Sequence, residues 1–173
     1  MLRRPFVWTA IAALFLDQVS KLLVYGLIER GESVRVVGDL LRFSHSENPH
    51  GVFGLPFGPP ILYIVVQGVV AALVVRLGIR AKGSWLASAF GMILGGALGN
   101  LADRIRLGRV IDFIDFEVRA VGFRWYTFNL ADAFVVIGIL MMLGYELHNQ
   151  VRCRRQRRLN PKEENNETRI SGQ

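Results

Sequence analysis

Four long apolar runs constrain this chain more than any other feature of its sequence. They lie at residues 6–28, 61–77, 85–101 and 130–147. At a rise of about 1.5 Å per residue, helices of such lengths can cross a hydrocarbon layer about 30 Å thick. The hydrophobic fraction of 51% and the mean hydropathy of +0.32 agree with this interpretation. The runs therefore predict a mainly α-helical membrane protein with a bundle of four transmembrane helices.

Basic residues beside these runs predict how the chain crosses the membrane. The first run follows a basic N-terminus, but it is too long for a signal-peptide apolar region and lacks a convincing cleavage site, so we expect a retained anchor. The N-terminus, the loop 78–84 and the C-terminal tail are all basic, which places them in the cytoplasm. Segments 29–58 and 102–128 then lie on the outer side.

Length and composition limit the domain organisation and the classes of partner. Residues 1–159 are expected to form a single integral membrane domain, and the polar residues 160–173 a disordered cytoplasmic tail. The net charge of +7 is distributed beside the apolar runs, not over a basic, aromatic-interleaved surface, so no nucleic-acid partner is expected. The one cysteine, Cys153, excludes a disulfide framework within the chain. Nothing in the sequence signals an oligomer, so we expect a monomer.

The two outer segments show local patterns of their own. Partial alternation of apolar and polar residues predicts short β-strands at 33–37, 41–44, 110–118 and 123–128. The third apolar run carries a set of small residues that would let neighbouring helices approach closely: Gly91, Gly95, Gly96 and Gly99.

Polar residues are concentrated at the outer ends of the apolar runs. Asp17 and Lys21 are four residues apart, so they share a helix face and can pair. Each polar residue has a simple structural interpretation: an ion pair, a helix cap, a first-turn charge or a loop residue. Together, however, they map to one side of the predicted membrane, which favours a single polar site there. The set comprises Asp17, Asn48, Asn100, Asp103, Asp112, Asn129 and Asp132.

These residue types favour one hydrolytic chemistry over others. The sequence has no His-Glu-x-x-His motif, its histidines do not cluster, and it has no Gly-x-Ser-x-Gly elbow. The remaining option is a pair of aspartates that share one proton and activate a water molecule. On these grounds alone the pair could come from Asp17, Asp103, Asp112, Asp115 or Asp132. A small ion-coupled transporter and a structural scaffold also remain open, although a transporter should carry polar residues through the inner half of its helices.

Five short motifs occur in order along the chain, each beside an apolar run. They are Asp17-Gln-Val-Ser-Lys21, Asn48 to Phe53, Gly99-Asn-Leu-Ala-Asp-Arg104, Gly108-Arg-Val-Ile-Asp-Phe113 and Phe128-Asn-Leu-Ala-Asp132. In this set the chain closely resembles the bacterial lipoprotein signal peptidases, also called signal peptidase II, which are aspartic intramembrane proteases. The resemblance implies a small periplasmic β-cradle on the helix bundle and a location in the bacterial cytoplasmic (inner) membrane, with the active site near its outer surface.

The resemblance also implies roles for particular residues. Asp112 and Asp132 match the catalytic aspartates, with no cofactor and no metal. The implied substrate is a prolipoprotein whose lipobox cysteine carries diacylglycerol, cut just before that cysteine. The chain departs from the family pattern at Pro49-His50-Gly51, where His50 is either a substrate or lipid contact or a tolerated loop residue, and Asp115 is the rival for the catalytic pair. The matching support residues are Asp17, Lys21, Asn48, Asn100, Arg104 and Asn129.

Overall fold

The computed structural model describes residues 4–50, 58–118 and 121–159, with side chains described as far as residue 156. These residues form four helices and four strands. In chain order they are α1 (Arg4–Leu27), β1 (Ser33–Val37), β2 (Leu41–Asn48), α2 (Pro60–Arg80), α3 (Ser84–Leu107), β3 (Val110–Val118), β4 (Phe123–Arg124) and α4 (Leu130–Leu159). The tail predicted at 160–173 lies outside the described residues.

The four helices confirm the four predicted spans. Within the described residues, each of them is long and apolar enough to cross a membrane. α4 continues to Leu159, well beyond the apolar run that ends at residue 147. Residues 145–159 contain neither glycine nor proline, so nothing in the local sequence stops the helix where its hydrophobicity ends.

α3 is the central helix of the bundle, because it packs against α1, α2 and α4. Its glycines allow this close packing, as the sequence predicted. A Cβ atom at Gly96 would collide with the carbonyl oxygen of Ala131, and one at Gly99 would collide with the carboxylate of Asp17. The backbones of α1 and α4 can therefore approach α3 where the polar side chains lie.

The strands form one antiparallel sheet in the order β1-β2-β3-β4 at one end of the bundle. β1 and β3 have the predicted bounds, β2 is longer than predicted and β4 is shorter. In the β2–β3 ladder Asn48 pairs with Val110, and Ser46 pairs with Asp112. Phe113 of β3 packs with Val24 of α1 in a buried apolar cluster, which fixes the sheet to the bundle.

Candidate active site

Asp112 and Asp132 come from different elements, and Asn129 links them. Asp112 lies on β3 and is only 4% exposed, whereas Asp132 lies in the first turn of α4. The side-chain Nδ2 of Asn129 donates to Asp112 Oδ1 at 2.7 Å. The backbone N–H of Asn129 donates to Asp132 Oδ2 at 3.4 Å. The two carboxylates that the resemblance singles out are thus held by the same residue.

The start of α4 explains why Asn129 has this geometry. Its Oδ1 accepts the backbone N–H of Asp132 at 3.0 Å, so the two residues cap the helix reciprocally. Asp17 of α1 adds a second cap, because its Oδ1 accepts the backbone N–H of Ala131 at 2.8 Å. Asp132 therefore does occupy the first turn of the helix, where the sequence suggested that an acid would be favoured by the helix dipole. The same position also presents its carboxylate toward Asn100 and Asn129.

Asn48 reaches Asp112 from the end of β2. Its Nδ2 donates to Asp112 Oδ2 at 3.2 Å. Its own Oδ1 accepts the backbone N–H of His50 at 3.0 Å, which orients the amide so that the NH₂ group faces the carboxylate. Pairing of β2 with β3 brings these distant residues together.

A buried cluster of charges lies beside the two aspartates. Lys21, Asp17 and Asp103 are at most 1% exposed, and the Lys21 ammonium lies 2.9 Å from Asp17 and 2.8 Å from Asp103. This confirms the predicted Asp17–Lys21 pair and adds Asp103 as a second acid. Because unpaired charges are costly inside a membrane, these contacts stabilise groups that would otherwise oppose insertion.

Asn100 connects this cluster to the two aspartates. Its Oδ1 accepts from Lys21 at 2.9 Å and from Asn129 Nδ2 at 3.1 Å. Its Nδ2 donates to Asp132 Oδ1 at 2.8 Å. An ammonium can only donate, so Lys21 requires the amide oxygen to face it, and the NH₂ group then points at Asp132.

Arg104 occupies a different part of the site. Its guanidinium donates to Gln67 Oε1 at 3.2 Å and to the His50 carbonyl at 2.9 Å, and it lies 5.7 Å from the centre of the Tyr63 ring. In the described part of the chain these partners are neutral groups. Its positive charge interacts with Asp112 and Asp132 through space.

Asp115, the rival aspartate, has an opposite environment on the same strand. It is 2% exposed, and Arg124 binds it with Nε at 3.2 Å and Nη2 at 2.9 Å. Arg42 lies 3.2 Å from the same carboxylate. Because side chains alternate along a strand, residues three apart project from opposite faces. Asp115 therefore projects away from the face that carries Asp112, and its partners are cations.

The surroundings of Asp112 change its proton affinity. Burial, and after it the negative charge of Asp132, raise the pKa of its carboxyl from 3.8 to about 7. Hydrogen bonds from Asn48 and Asn129 and the charge of Lys21 oppose the increase. Near neutral pH this carboxyl can therefore hold or release a proton, which is the property that acid–base catalysis requires.

Two glutamines of the site were missed by the sequence reasoning. Gln18 donates to Asp17 Oδ2 at 3.1 Å and to Asp103 Oδ1 at 3.2 Å, so it braces the buried cluster. Gln67 holds Arg104 from α2. Their signal was present in the sequence, because an amide inside a long apolar run calls for a buried partner. Within the described ranges, no group of three or more His, Cys, Asp and Glu side chains could hold a metal ion.

Residues 9–148 match the family model described as signal peptidase (SPase) II. A lipoprotein signal peptidase of Halothermothrix orenii is 37% identical over 136 residues, which cover 78% of this chain and 90% of the relative. One from Pelotomaculum thermopropionicum is 38% identical over 140 residues, covering 79% and 88%.

Two solved structures described as bacterial membrane enzymes share the fold. One has a TM-score of 0.76 at 24% identity, and covers 84% of this chain and 88% of its own. The other has a TM-score of 0.73 at 25% identity, and covers 82% and 92%. The fold of this chain therefore recurs in bacterial membrane enzymes.

Proposed function

This chain belongs to the signal peptidase II family, and on that premise we propose that Asp112 and Asp132 are its catalytic pair. The chain is a multi-pass aspartic endopeptidase that removes signal peptides from prolipoproteins. The observation that carries the residue assignment is the bridge made by Asn129, which donates to both carboxylates. The assignment is further supported by the raised pKa of Asp112.

In the proposed reaction, the pair enters with one proton, carried by Asp112. Asp132 is ionised, in keeping with its place in the first turn of α4 and its bond from Asn100. Asp132 takes a proton from water as the water oxygen attacks the scissile carbonyl carbon, and Asp112 gives its proton to the carbonyl oxygen. The tetrahedral diol then collapses. The C–N bond breaks, Asp132 gives its proton to the leaving nitrogen, and Asp112 recovers a proton from the diol.

The other matched residues act by positioning. Lys21 orients Asn100, Asp17 caps α4 beside Asp132, and Asn48 and Asn129 hold Asp112. We assign Arg104 to substrate binding, because its neutral partners leave its charge directed toward the two aspartates. None of these roles requires a cofactor.

The substrate is proposed to be a prolipoprotein whose lipobox cysteine carries diacylglycerol, cut on the N-terminal side of that cysteine. The lipid stays in the bilayer, so the scissile bond lies near the membrane surface. The active site is at the end of the bundle that carries the sheet, which we assign to the outer side of the bacterial inner membrane. The basic loop 78–84 and both termini are then cytoplasmic.

Residues 1–159 are proposed to act as a single catalytic domain and as a monomer. This organisation is supported by the position of the site, which draws its residues from α1, α3, α4 and the β2–β3 pair of one chain.

The test is cleavage of a diacylglyceryl-modified prolipoprotein by purified Asp112→Asn and Asp132→Asn variants. Each should insert and fold but lose turnover by a factor of about 10³ or more, because acid–base catalysis by one group contributes about 10²–10⁴ and the pair acts together. A lysine exposed in the loop between α2 and α3 supplies the control, Lys82→Met, which should cleave normally. Near-normal turnover by either aspartate variant would refute the catalytic pair.

A further inference from the structure

Gln67 is a polar residue in an otherwise apolar stretch of a membrane helix. Between Pro60 and Val75 it is the one polar side chain besides Tyr63. It lies about 10 Å along α2 from Pro60, at depth in the predicted span. A polar side chain at such depth is rare and is generally held by a partner in the bundle. Its partner here is Arg104 of α3.

The face of α2 that carries Gln67 is directed at α3. Tyr63 and Gln67 are four residues apart and both are half-buried, whereas Val65, Val66 and Val69 are exposed. Tyr63 and Gln67 contact the same guanidinium, one through its ring and the other through its amide oxygen. α2 therefore presents a two-residue seat for Arg104.

A continuous series of hydrogen bonds leads from this seat to the active site. Gln67 Oε1 accepts from Arg104 at 3.2 Å, and Arg104 donates to the His50 carbonyl at 2.9 Å. The N–H of His50 then donates to Asn48 Oδ1 at 3.0 Å, and Asn48 Nδ2 donates to Asp112 Oδ2 at 3.2 Å. The backbone of His50 joins the two halves of this series, because its carbonyl accepts from Arg104 and its N–H donates to Asn48.

From this geometry we infer that Gln67 is a positioning residue, which acts on Asp112 through Arg104, His50 and Asn48. The inference rests on the proposed catalytic pair. It also gives His50 a role through its backbone, whatever its side chain contacts. α2 thereby contributes to an active site whose directly contacting residues come from other elements.

The consequence is a dependence of the Asp112 proton on a residue of α2. The bond from Asn48 lowers the pKa of Asp112 against the opposing effects of burial and of Asp132 on α4. Lys21 of α1 also lowers this pKa, and within the described residues Arg104 of α3 is a further charge that interacts with Asp112. Loosening Asn48 should therefore raise the pKa, so that Asp112 keeps its proton to higher pH.

The test compares Gln67→Met with Val69→Met in the purified full chain, using a diacylglyceryl-modified prolipoprotein as the substrate. Val69 is 64% exposed on the same helix, so its variant controls for an added methionine in α2. Gln67→Met should lower kcat/KM about tenfold, as expected for loss of a hydrogen bond to a charged group. It should also move the alkaline limb of the profile of kcat against pH to higher pH, by up to about one unit. Val69→Met should leave both unchanged.

Gln67→Asn serves as a second variant, because it keeps an amide in the membrane but is one methylene too short to hold Arg104. It should move the alkaline limb in the same direction. A purely structural role for Gln67 would lower the melting temperature and the active fraction without moving the limb, and that result overturns the inference. If Asp112→Asn inactivates the enzyme but the Gln67 variants leave the alkaline limb unmoved, the role of Gln67 is refuted and the catalytic pair is not. Activity in Asp112→Asn refutes the catalytic pair and this inference with it.

Discussion

Strand β3 carries two buried aspartates in contrasting electrostatic surroundings. Asp115 is bound by the guanidinium groups of Arg42 and Arg124, so its negative charge is compensated. Asp112 receives neutral amides from Asn48 and Asn129 and interacts unfavourably with the charge of Asp132. Burial is nearly equal, at 2% and 4% exposure. The charged or neutral partners, not the burial, distinguish Asp115 from the carboxylate that we propose as catalytic.

The buried cluster around Lys21 belongs with Asp115 in this comparison. Its two acids, Asp17 and Asp103, share one ammonium and further donors. We expect substitutions in the cation-paired regions to reduce stability mainly, and substitutions of the proposed catalytic pair to reduce activity mainly.

The largest stability effect is expected for Lys21→Met. Removing the cation leaves Asp17 and Asp103 buried without it, and breaking a buried ion pair in this way costs about 3–5 kcal/mol. Thermal unfolding of the purified protein in lipid nanodiscs measures the loss, with Lys82→Met as the exposed control. Unchanged stability in Lys21→Met would remove the distinction between the cation-paired acids and Asp112.

Asp112→Asn is expected to change stability in the opposite direction, by making the folded protein more stable. The pKa of Asp112 is raised from an ordinary value of 3.8 to about 7 in the folded protein. Such a group favours folding below its unfolded pKa and loses that contribution as the pH rises through its folded pKa. At about pH 8 the variant should therefore be more stable than the wild type by up to about 4 kcal/mol, at roughly 1.4 kcal/mol per pKa unit.

The same unfolding measurement repeated at about pH 4 checks the reason for this gain. There the folded wild type holds the proton and the unfolded wild type, close to its pKa of 3.8, holds it for a large part of the time, so most of the difference should disappear. A gain of equal size at both pH values would mean that packing, not ionisation, distinguishes Asp112.

Asp115→Asn should lower stability by about 1–3 kcal/mol, because it leaves the buried side of Arg42 less well paired. Arg42 retains Glu117, which limits the loss. Turnover of a lipidated prolipoprotein should stay within a few-fold of wild type, since Asp115 projects from the face opposite Asp112. Complete inactivation of a folded Asp115→Asn variant would favour the rival assignment.

The smallest effect is expected for Arg124→Gln. Arg124 is 62% exposed in its side chain, and Arg42 remains beside Asp115 after the substitution. Pairs of this kind contribute about 0–1 kcal/mol. The change in melting temperature should thus be small at low salt and smaller still at high salt. A large, salt-independent loss would show that Asp115 depends on Arg124 as strongly as Asp17 depends on Lys21.

Local patterns in the sequence predicted much of the fold. Hydrophobic runs located the four helices, alternation located β1 and β3 at their observed bounds, and the four-residue spacing predicted the Asp17–Lys21 pair. The extension of α4 to Leu159 was missed because the prediction followed hydrophobicity, whereas the basic residues there are good helix formers.

Contacts between distant segments could not be predicted in the same way. Nothing local to Asp115 reveals that Arg42, which is 73 positions away, compensates its charge, because that contact depends on the β2–β3 register. Likewise, the Gln67–Arg104 bond depends on how α2 rotates against α3. The choice of Asp112 over Asp115 therefore came from family resemblance and stays a proposal, which the contrast between their partners supports.

The most direct measurement is an infrared titration of the carboxyl groups of the folded protein in nanodiscs. We predict a carboxyl band that titrates at about pH 7 in the wild type, disappears in Asp112→Asn and persists in Asp115→Asn. A near-neutral band that survives in Asp112→Asn and is lost in Asp115→Asn would contradict the account.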